Sequence, residues 1–178
     1  MNNTHSQRVI IIADDVDYAD VLQEDLMEEA NIPPEDITRG GKYDDSEKVL
    51  SGLILGETPT IIVLDGNLDY EHPNDAITGN GFSLMRHRLT DIREQAQTEG
   101  KTPQEISNMG KNTLLILNSN LCNPEYRKLY GLLQNESLAL GIHVGFNPSK
   151  SPQGVVEMTN DWLQSRGIEG QRPAAERK

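Results

Sequence analysis

The sequence predicts an α/β protein in which a five-stranded parallel sheet carries helices on both faces. Short apolar segments rich in valine, isoleucine and leucine alternate five times with longer segments whose apolar residues recur at helical spacing. Continuous apolar runs of this length are typical of strands that are buried on both faces of a parallel sheet. Right-handed crossovers bring the carboxyl end of every strand to one edge of such a sheet, where α/β proteins bind ligands.

The predicted elements follow one another closely along the chain. We predict strands at residues 8–13, 36–39, 60–64, 113–118 and 142–146. We expect Asp44 or Asp45 to cap the second helix, and Thr102 to begin an extra helix. The helices should bury Val21, Leu22, Leu26, Met27, Val49, Leu50, Leu53, Ile54, Phe82, Met85, Leu89, Ile92, Tyr126, Leu129, Tyr130, Leu133, Leu138, Val155, Trp162 and Leu163.

A single domain is expected to span residues 8–166 of the 178-residue chain, after a polar leader at residues 1–7. Residues 66–81 form a long, almost entirely polar loop, which is usually a sign of function or mobility. Residues 94–112 are interpreted as a polar surface insertion. Residues 167–178 are expected to be a disordered tail.

Composition restricts the classes of function. A net charge of −12 with scattered basic residues argues against nucleic acid as a partner. The sequence has no apolar stretch of membrane-spanning length and no recognisable signal peptide, so we expect no membrane association. With the single cysteine Cys122, no internal disulfide can form, which favours a reducing compartment and predicts a cytoplasmic protein.

Charged and hydroxyl side chains follow several of the predicted strands directly. Asp14 and Asp15 follow the first strand, Asp65 the third and Ser119 the fourth, and Lys150 lies shortly after the fifth. Three carboxylates about 4 Å apart would repel by roughly 4 kcal/mol per pair at an effective dielectric constant of 20. With oxygen ligands and no nearby histidine or cysteine, the cation that relieves this repulsion should be Mg²⁺. The lysine and the hydroxyl suit a phosphoryl group, and Asp65 would be the nucleophile that forms an acyl phosphate.

This order of residues resembles the receiver domain of two-component response regulators. The resemblance extends from about Arg8 to Leu163, and it lies in four strand-end positions taken together rather than in any single motif. It implies a flavodoxin-like fold with strand order 2-1-3-4-5. It also implies a signalling domain rather than an enzyme, one that at most catalyses its own phosphorylation and dephosphorylation.

The resemblance also implies a role for each site residue. Asp65 would accept a phosphoryl group from a sensor histidine kinase or a phosphotransfer protein. Ser119 and Lys150 would contact the phosphoryl oxygens and repack the face of the fourth and fifth strands, which a downstream protein effector would recognise. The implied Mg²⁺ ligands are Asp14, Asp15, Asp65 and the backbone carbonyl of Asn67.

The sequence departs from the usual receiver pattern at several positions. Lys150 is followed by Ser151 and Pro152, whereas receivers usually have proline directly after the lysine. Phe146, the candidate switch aromatic, lies one residue further from the lysine than expected. Asn120 replaces the small residue that usually follows the hydroxyl residue, and the loop after Asp65 is long and lacks the customary Met-Pro.

Two alternatives remain beside a stand-alone phosphorylated receiver. The first is a degenerate receiver that acts as an interaction module without phosphorylation. The second is a phosphatase of the haloacid-dehalogenase class, which requires a second aspartate two residues after the nucleophile, where this chain has Asn67. His72 is expected to be solvated rather than a ligand. Formation of a weak homodimer through the acidic face stays open.

Overall fold

The computed structural model describes residues 7–68, 80–119 and 124–167. Within these ranges five strands form one sheet: β1 (Arg8–Ile12), β2 (Ile37–Gly40), β3 (Thr60–Leu64), β4 (Thr113–Leu117) and β5 (His143–Phe146). Their order across the sheet is β2-β1-β3-β4-β5, and every neighbouring pair is parallel. The predicted fold class and strand order are therefore confirmed.

Helices cover both faces of the sheet. They are α1 (Val16–Glu29), α2 (Tyr43–Ser51), α3 (Asn80–Thr98), α4 (Pro103–Ser107), α5 (Pro124–Ala139) and α6 (Pro152–Ser165), with a 3₁₀ turn at Pro34–Asp36. Helices α1 and α6 pack on one face, and α2, α3, α4 and α5 contribute to the apolar core on the other. Side chains of one strand alternate between the two layers, so that Val9 and Ile11 meet α1 and α6 while Ile10 and Ile12 face the opposite layer.

Local sequence determines where several helices begin. The side chain of Asp15 accepts a hydrogen bond from the backbone N–H of Tyr18 at the start of α1. Thr102 and Glu105 form the reciprocal capping box of α4, which confirms the predicted extra helix. At α6, Ser151 is the N-cap and Pro152 the first helical residue, where its missing N–H has no consequence.

Three residues predicted to be buried are exposed instead. Val21 is 47% exposed because the buried face of α1 consists of Ala19, Leu22 and Leu26. Ile54 is 71% exposed because α2 ends at Ser51, which takes Ile54 out of the helical register. Leu138 is 58% exposed, because Leu133 and Ser137 form the buried face of α5.

The predicted cap of α2 is also wrong. Lys42 is the N-cap residue and makes no side-chain capping bond, while Asp44 and Asp45 lie in the first turn. Carboxylates in that position are still favourable beside the positive end of the helix dipole.

The segment interpreted as a surface insertion contains ordered helix. Helix α3 continues to Thr98, and both Ala96 and Ile106 are buried in the core beside α5. Six residues of the predicted leader, the greater part of the 66–81 loop with His72, and the predicted tail after Gly167 lie outside the described residues. Among the helices that the structure does describe, none has both the length and the apolar character needed to cross a bilayer.

Candidate functional site

Asp65 lies where the central strand β3 ends. All five residues of β3 are buried, and the backbone N–H of Asp65 donates to the carbonyl of Ile12 at 2.8 Å, which extends the pairing with β1 by one residue. The residue itself is 6% exposed. A carboxylate is thus held at the carboxyl edge of the sheet with little access to water.

Lys150 is the cation that balances this buried carboxylate. Its Nζ lies 2.9 Å from Oδ2 of Asp65, so two of the predicted site residues, 85 positions apart in sequence, are in contact in the fold. Burial raises the pKa of the Asp65 carboxyl above its ordinary value, although the hydrogen bond and charge of Lys150 oppose the increase. The N–H of Asn67 also opposes it, whereas the charge of Asp14 adds to it.

The altered sequence around Lys150 does not prevent this contact. Lys150 adopts a left-handed backbone conformation with φ of 54°, and the next residue, Ser151, caps α6. Left-handed φ is unfavourable for a residue with a Cβ. The left-handed conformation occurs where the side chain of Lys150 is directed toward Asp65. Ser151, the residue that separates the lysine from the proline, is the N-cap of α6.

Ser119 lies beside the backbone that follows Asp65. It is 6% exposed, and a Cβ added to Gly66 would come within 2.8 Å of its Oγ. Gly81, in the first turn of α3, approaches the carbonyl of Asp65 so closely that a Cβ there would collide with it. Glycines at both positions therefore let the Ser119 hydroxyl and the start of α3 approach the Asp65 backbone.

Two further predicted residues, Asp14 and Asp15, differ in their placement. Asp14 is partly buried, and its charge contributes to the raised pKa of Asp65, which shows that the two carboxylates share one edge of the sheet. Asp15 is exposed, and its Oδ1 accepts the capping hydrogen bond from Tyr18 at 3.0 Å. The N–H of Asn67 lies 3.5 Å from Oδ1 of Asp65.

The predicted metal ligands offer oxygen atoms alone, a donor set that fits a hard cation such as Mg²⁺. Within residues 7–68, 80–119 and 124–167, however, no three acidic, histidine or cysteine side chains stand close enough to form a metal cluster. Asp14 and Asp65 are the carboxylates whose charges interact here. The prediction of a three-aspartate metal site stays a prediction.

A chain of buried polar side chains lies next to the site, and the sequence analysis missed it. Asn147 Nδ2 donates to Oδ1 of Asn118 at 2.9 Å, and Asn118 Nδ2 donates to the hydroxyl of Tyr18 at 2.7 Å. Burial raises the pKa of Tyr18 to about 12, against the effect of the Asn118 hydrogen bond and with a contribution from the charge of Asp65. The Tyr18 hydroxyl therefore stays protonated at neutral pH.

Aromatic side chains flank the site on the opposite layer. Burial, followed by the charge of Asp65, raises the pKa of Tyr126 on α5, and the ring of Tyr126 packs edge-on against Phe82 at a centroid distance of 6.1 Å. Phe146, the candidate switch aromatic, packs against Tyr130 of α5 at 5.6 Å. Although Phe146 lies one residue further from Lys150 than expected, its ring still packs on the face formed by β5 and α5.

A fold of this topology is known from other proteins. A five-stranded parallel sheet of order 2-1-3-4-5, with polar groups gathered at its carboxyl edge, is the flavodoxin-like arrangement. This topology is the one that the resemblance to receiver domains implies. The identification of Asp65 as a phosphoacceptor and of its metal ligands goes further than this likeness of fold.

Comparison with other proteins gave one structural similarity. The chain is similar to a solved structure described as a response regulator from Colwellia psychrerythraea, with 17% sequence identity and a TM-score of 0.48, over 88% of this chain and 98% of the other. A scan against models of protein families found no match. A search of curated proteins found no similar sequence.

Proposed function

We propose that the protein is a receiver that signals through phosphorylation of Asp65. The observation that supports this proposal most strongly is the buried Asp65 carboxylate, paired with Lys150 at the end of the central strand. Structural ion pairs can also have perturbed pKa values, but here the hydroxyl of Ser119 lies beside the following glycine. An acceptor carboxylate, a cation and a hydroxyl are the groups that phosphoryl transfer requires.

The chemistry would proceed by displacement at phosphorus. A carboxylate oxygen of Asp65 attacks the phosphorus of a phosphohistidine, a new P–O bond forms, and the P–N bond breaks with both electrons remaining on the imidazole, which takes up a proton. Burial makes the Asp65 carboxylate more basic and so a better nucleophile, as its raised pKa indicates. Lys150 and Ser119 would then stabilise the charge on the phosphoryl oxygens.

Mg²⁺ would be held by the carboxylates of Asp14, Asp15 and Asp65 and by the backbone carbonyl of Asn67. When bound, the cation would neutralise charge on the transferred phosphoryl group. Asp15 would take part through its second carboxylate oxygen, since Oδ1 accepts the capping bond of α1. Asp14 is suited to the role because its charge already interacts with that of Asp65.

The partners follow from this chemistry. The donor would be a sensor histidine kinase or a phosphotransfer protein, and the exchange would take place in the cytoplasm. Phosphorylation adds roughly two negative charges beside Lys150. The response would be a repacking of the face formed by β4, β5 and α5, where Phe146 meets Tyr130, and a protein effector would recognise the change. In this role the protein is a signalling domain and not an enzyme with turnover of an external substrate.

The decisive experiment is labelling with acetyl phosphate in the presence of Mg²⁺, followed by intact-protein mass spectrometry. Wild type should gain one base-labile, hydroxylamine-sensitive phosphoryl group, and Asp65→Asn should gain none. Asp20→Asn is the matched control, because Asp20 is an exposed aspartate that pairs with Arg39 at 2.6 Å and is not one of the predicted site residues. Equal labelling of wild type and Asp65→Asn, or labelling that persists in EDTA, would contradict the proposal.

A second candidate is an interaction module that needs no phosphorylation. In its favour, Lys150 already balances the charge of Asp65, and the described residues contain no three-ligand metal cluster. This candidate predicts neither labelling by acetyl phosphate nor Mg²⁺-induced NMR shifts near Asp65. The haloacid-dehalogenase alternative has no such observation in its favour, and the absence of hydrolysis of small phosphate esters would exclude it.

A further inference from the structure

We propose that Asn147 is the positioning residue of Lys150, and that it holds the lysine against Asp65 through a buried amide chain anchored on Tyr18. This inference rests on the proposed function, since it assigns how the phosphoryl-binding lysine is kept in place. The receiver resemblance points to Lys150 itself, but it assigns no role to Asn118 or Asn147. The role assigned here comes from the hydrogen bonds that these two side chains make.

Asn147 binds the chain on both sides of Lys150. Its Oδ1 accepts from the hydroxyl of Ser149 at 3.0 Å, and its Nδ2 donates to the carbonyl of Ser151 at 2.9 Å. The backbone carbonyl of Asn147 also accepts from the N–H of Lys150 at 3.3 Å. One side chain, 3% exposed, therefore fixes the residues before and after the lysine.

These bonds offset the strain of the left-handed lysine. A left-handed conformation is unfavourable for a residue with a Cβ, and Lys150 has φ of 54°. The hydrogen bonds of the buried Asn147 amide act against this cost. Without the amide, the loop would relax toward an ordinary backbone conformation, and the side chain of Lys150 would leave Asp65.

The amide of Asn147 is also hydrogen-bonded to a buried residue at the end of β4. Its Nδ2 donates to Asn118, at the end of β4, and Asn118 donates to the hydroxyl of Tyr18 on α1. Both asparagines are buried, so each hydrogen bond lies in a low-dielectric environment, where a lost partner is costly. The position of Lys150 is thus linked to β4 and to α1 as well as to its own loop.

Gly154 provides an independent means of moving the Asn147 amide. A Cβ at Gly154 would lie 2.6 Å from Oδ1 of Asn147 and 3.0 Å from Oγ of Ser151. Gly154 lies in the first turn of α6, where alanine is intrinsically the better helix former. Gly154→Ala should therefore favour the helix while it displaces the amide, an effect that general destabilisation would not reproduce.

The test compares Asn147→Ala and Gly154→Ala with the control Asn112→Ala. Asn112 also makes three side-chain hydrogen bonds, but at the opposite edge of the sheet. The first readout is the ¹⁵Nζ ammonium signal of Lys150 in the unphosphorylated protein, assigned by its loss in Lys150→Arg. The second is the initial rate of Asp65 labelling by acetyl phosphate.

In both Asn147→Ala and Gly154→Ala we expect the ammonium signal to broaden or disappear and the labelling rate to fall about 10- to 100-fold. Asn112→Ala should change neither. An unchanged Lys150 signal in Gly154→Ala, or equal losses in Asn112→Ala, would overturn the assignment. If wild type accepts no phosphoryl group at all, the proposed function fails, while the ammonium signal still decides the role of Asn147.

Discussion

Charged side chains have different kinds of partner at the amino edge and at the carboxyl edge of the sheet. At the amino edge, Arg8 donates to the carbonyl of Ile54, and Arg166 lies over the ring of Trp162 at 5.1 Å while it donates to Asn112. These permanent cations donate to carbonyl oxygens, and one of them also lies over an aromatic face. At the carboxyl edge a buried carboxylate meets a single lysine. The first arrangement joins segments of the chain. In the second, burial raises the pKa of the Asp65 carboxyl and the ion pair with Lys150 lowers it.

The largest expected difference appears when one cation is removed from each edge. Lys150→Ala should lower the rate of Asp65 labelling about 100-fold, since it removes the donor that, in the proposed function, stabilises the transferred group. It should also lower the free energy of unfolding at pH 7 by about 1–2 kcal/mol, because it leaves the buried Asp65 carboxylate without its cation, and this loss should disappear in an Asp65→Asn background. The measurements are labelling kinetics and urea unfolding.

Arg166→Ala should show a different pattern. It removes the contact with Trp162 and the hydrogen bonds to Asn112 and to the carbonyl of Lys111, and it should lower the free energy of unfolding by about 1–2 kcal/mol. Labelling of Asp65 should be unchanged. A strong loss of labelling in Arg166→Ala, or a loss of stability in Lys150→Ala that persists in an Asp65→Asn background, would remove the distinction between the two edges.

A smaller effect concerns stability and pH at the carboxyl edge. Because the pKa of Asp65 is raised in the folded protein, the ionised carboxylate costs stability as the pH rises above the ordinary aspartate value of about 4. Asp65→Asn should therefore stabilise the metal-free protein at pH 7, by about 1 kcal/mol. The gain should shrink as the pH falls toward 4, because protonation of the wild-type side chain removes the buried charge.

Thermal unfolding of both proteins in EDTA, from pH 4 to pH 7, measures this difference. A stabilisation of Asp65→Asn that does not depend on pH would mean that ionisation of Asp65 is not its cause. A substitution that removes a charge at the amino edge, such as Lys111→Gln, is the control, because the exposed pair of Lys111 with Glu57 should contribute little at any pH in this range.

The sheet was predictable because its strands are continuous apolar runs bounded by turn residues. The same pattern predicted Asp65 and Lys150 as neighbours, since parallel strands place their carboxyl ends together. Helix faces were less certain. Val21 and Leu138 are next to buried positions in sequence, and one residue of helix rotates a side chain by about 100°. Apolar character alone did not distinguish these residues from their buried neighbours.

The buried amide chain was not predictable in the same way. Asn118 and Asn147 each follow a strand, where asparagine is an ordinary turn or capping residue. They differ from ordinary turn residues because their side chains are hydrogen-bonded to each other across 29 positions, and Asn118 is also hydrogen-bonded to Tyr18 across 100 positions. A signal was available, because the sequence places an asparagine at the end of two strands that the predicted order makes adjacent. Recognising it required the strand register as well as the residue types.

The most direct test of the central claim is to locate the phosphoryl group on the polypeptide. After labelling with acetyl phosphate and Mg²⁺, borohydride reduction converts an aspartyl phosphate into homoserine with release of phosphate, and peptide mass spectrometry then identifies the altered position. We expect homoserine at position 65 in wild type and at no other aspartate. Homoserine at another aspartate, or at none in a protein that binds Mg²⁺ and remains folded, would contradict the assignment of Asp65 as the phosphoacceptor.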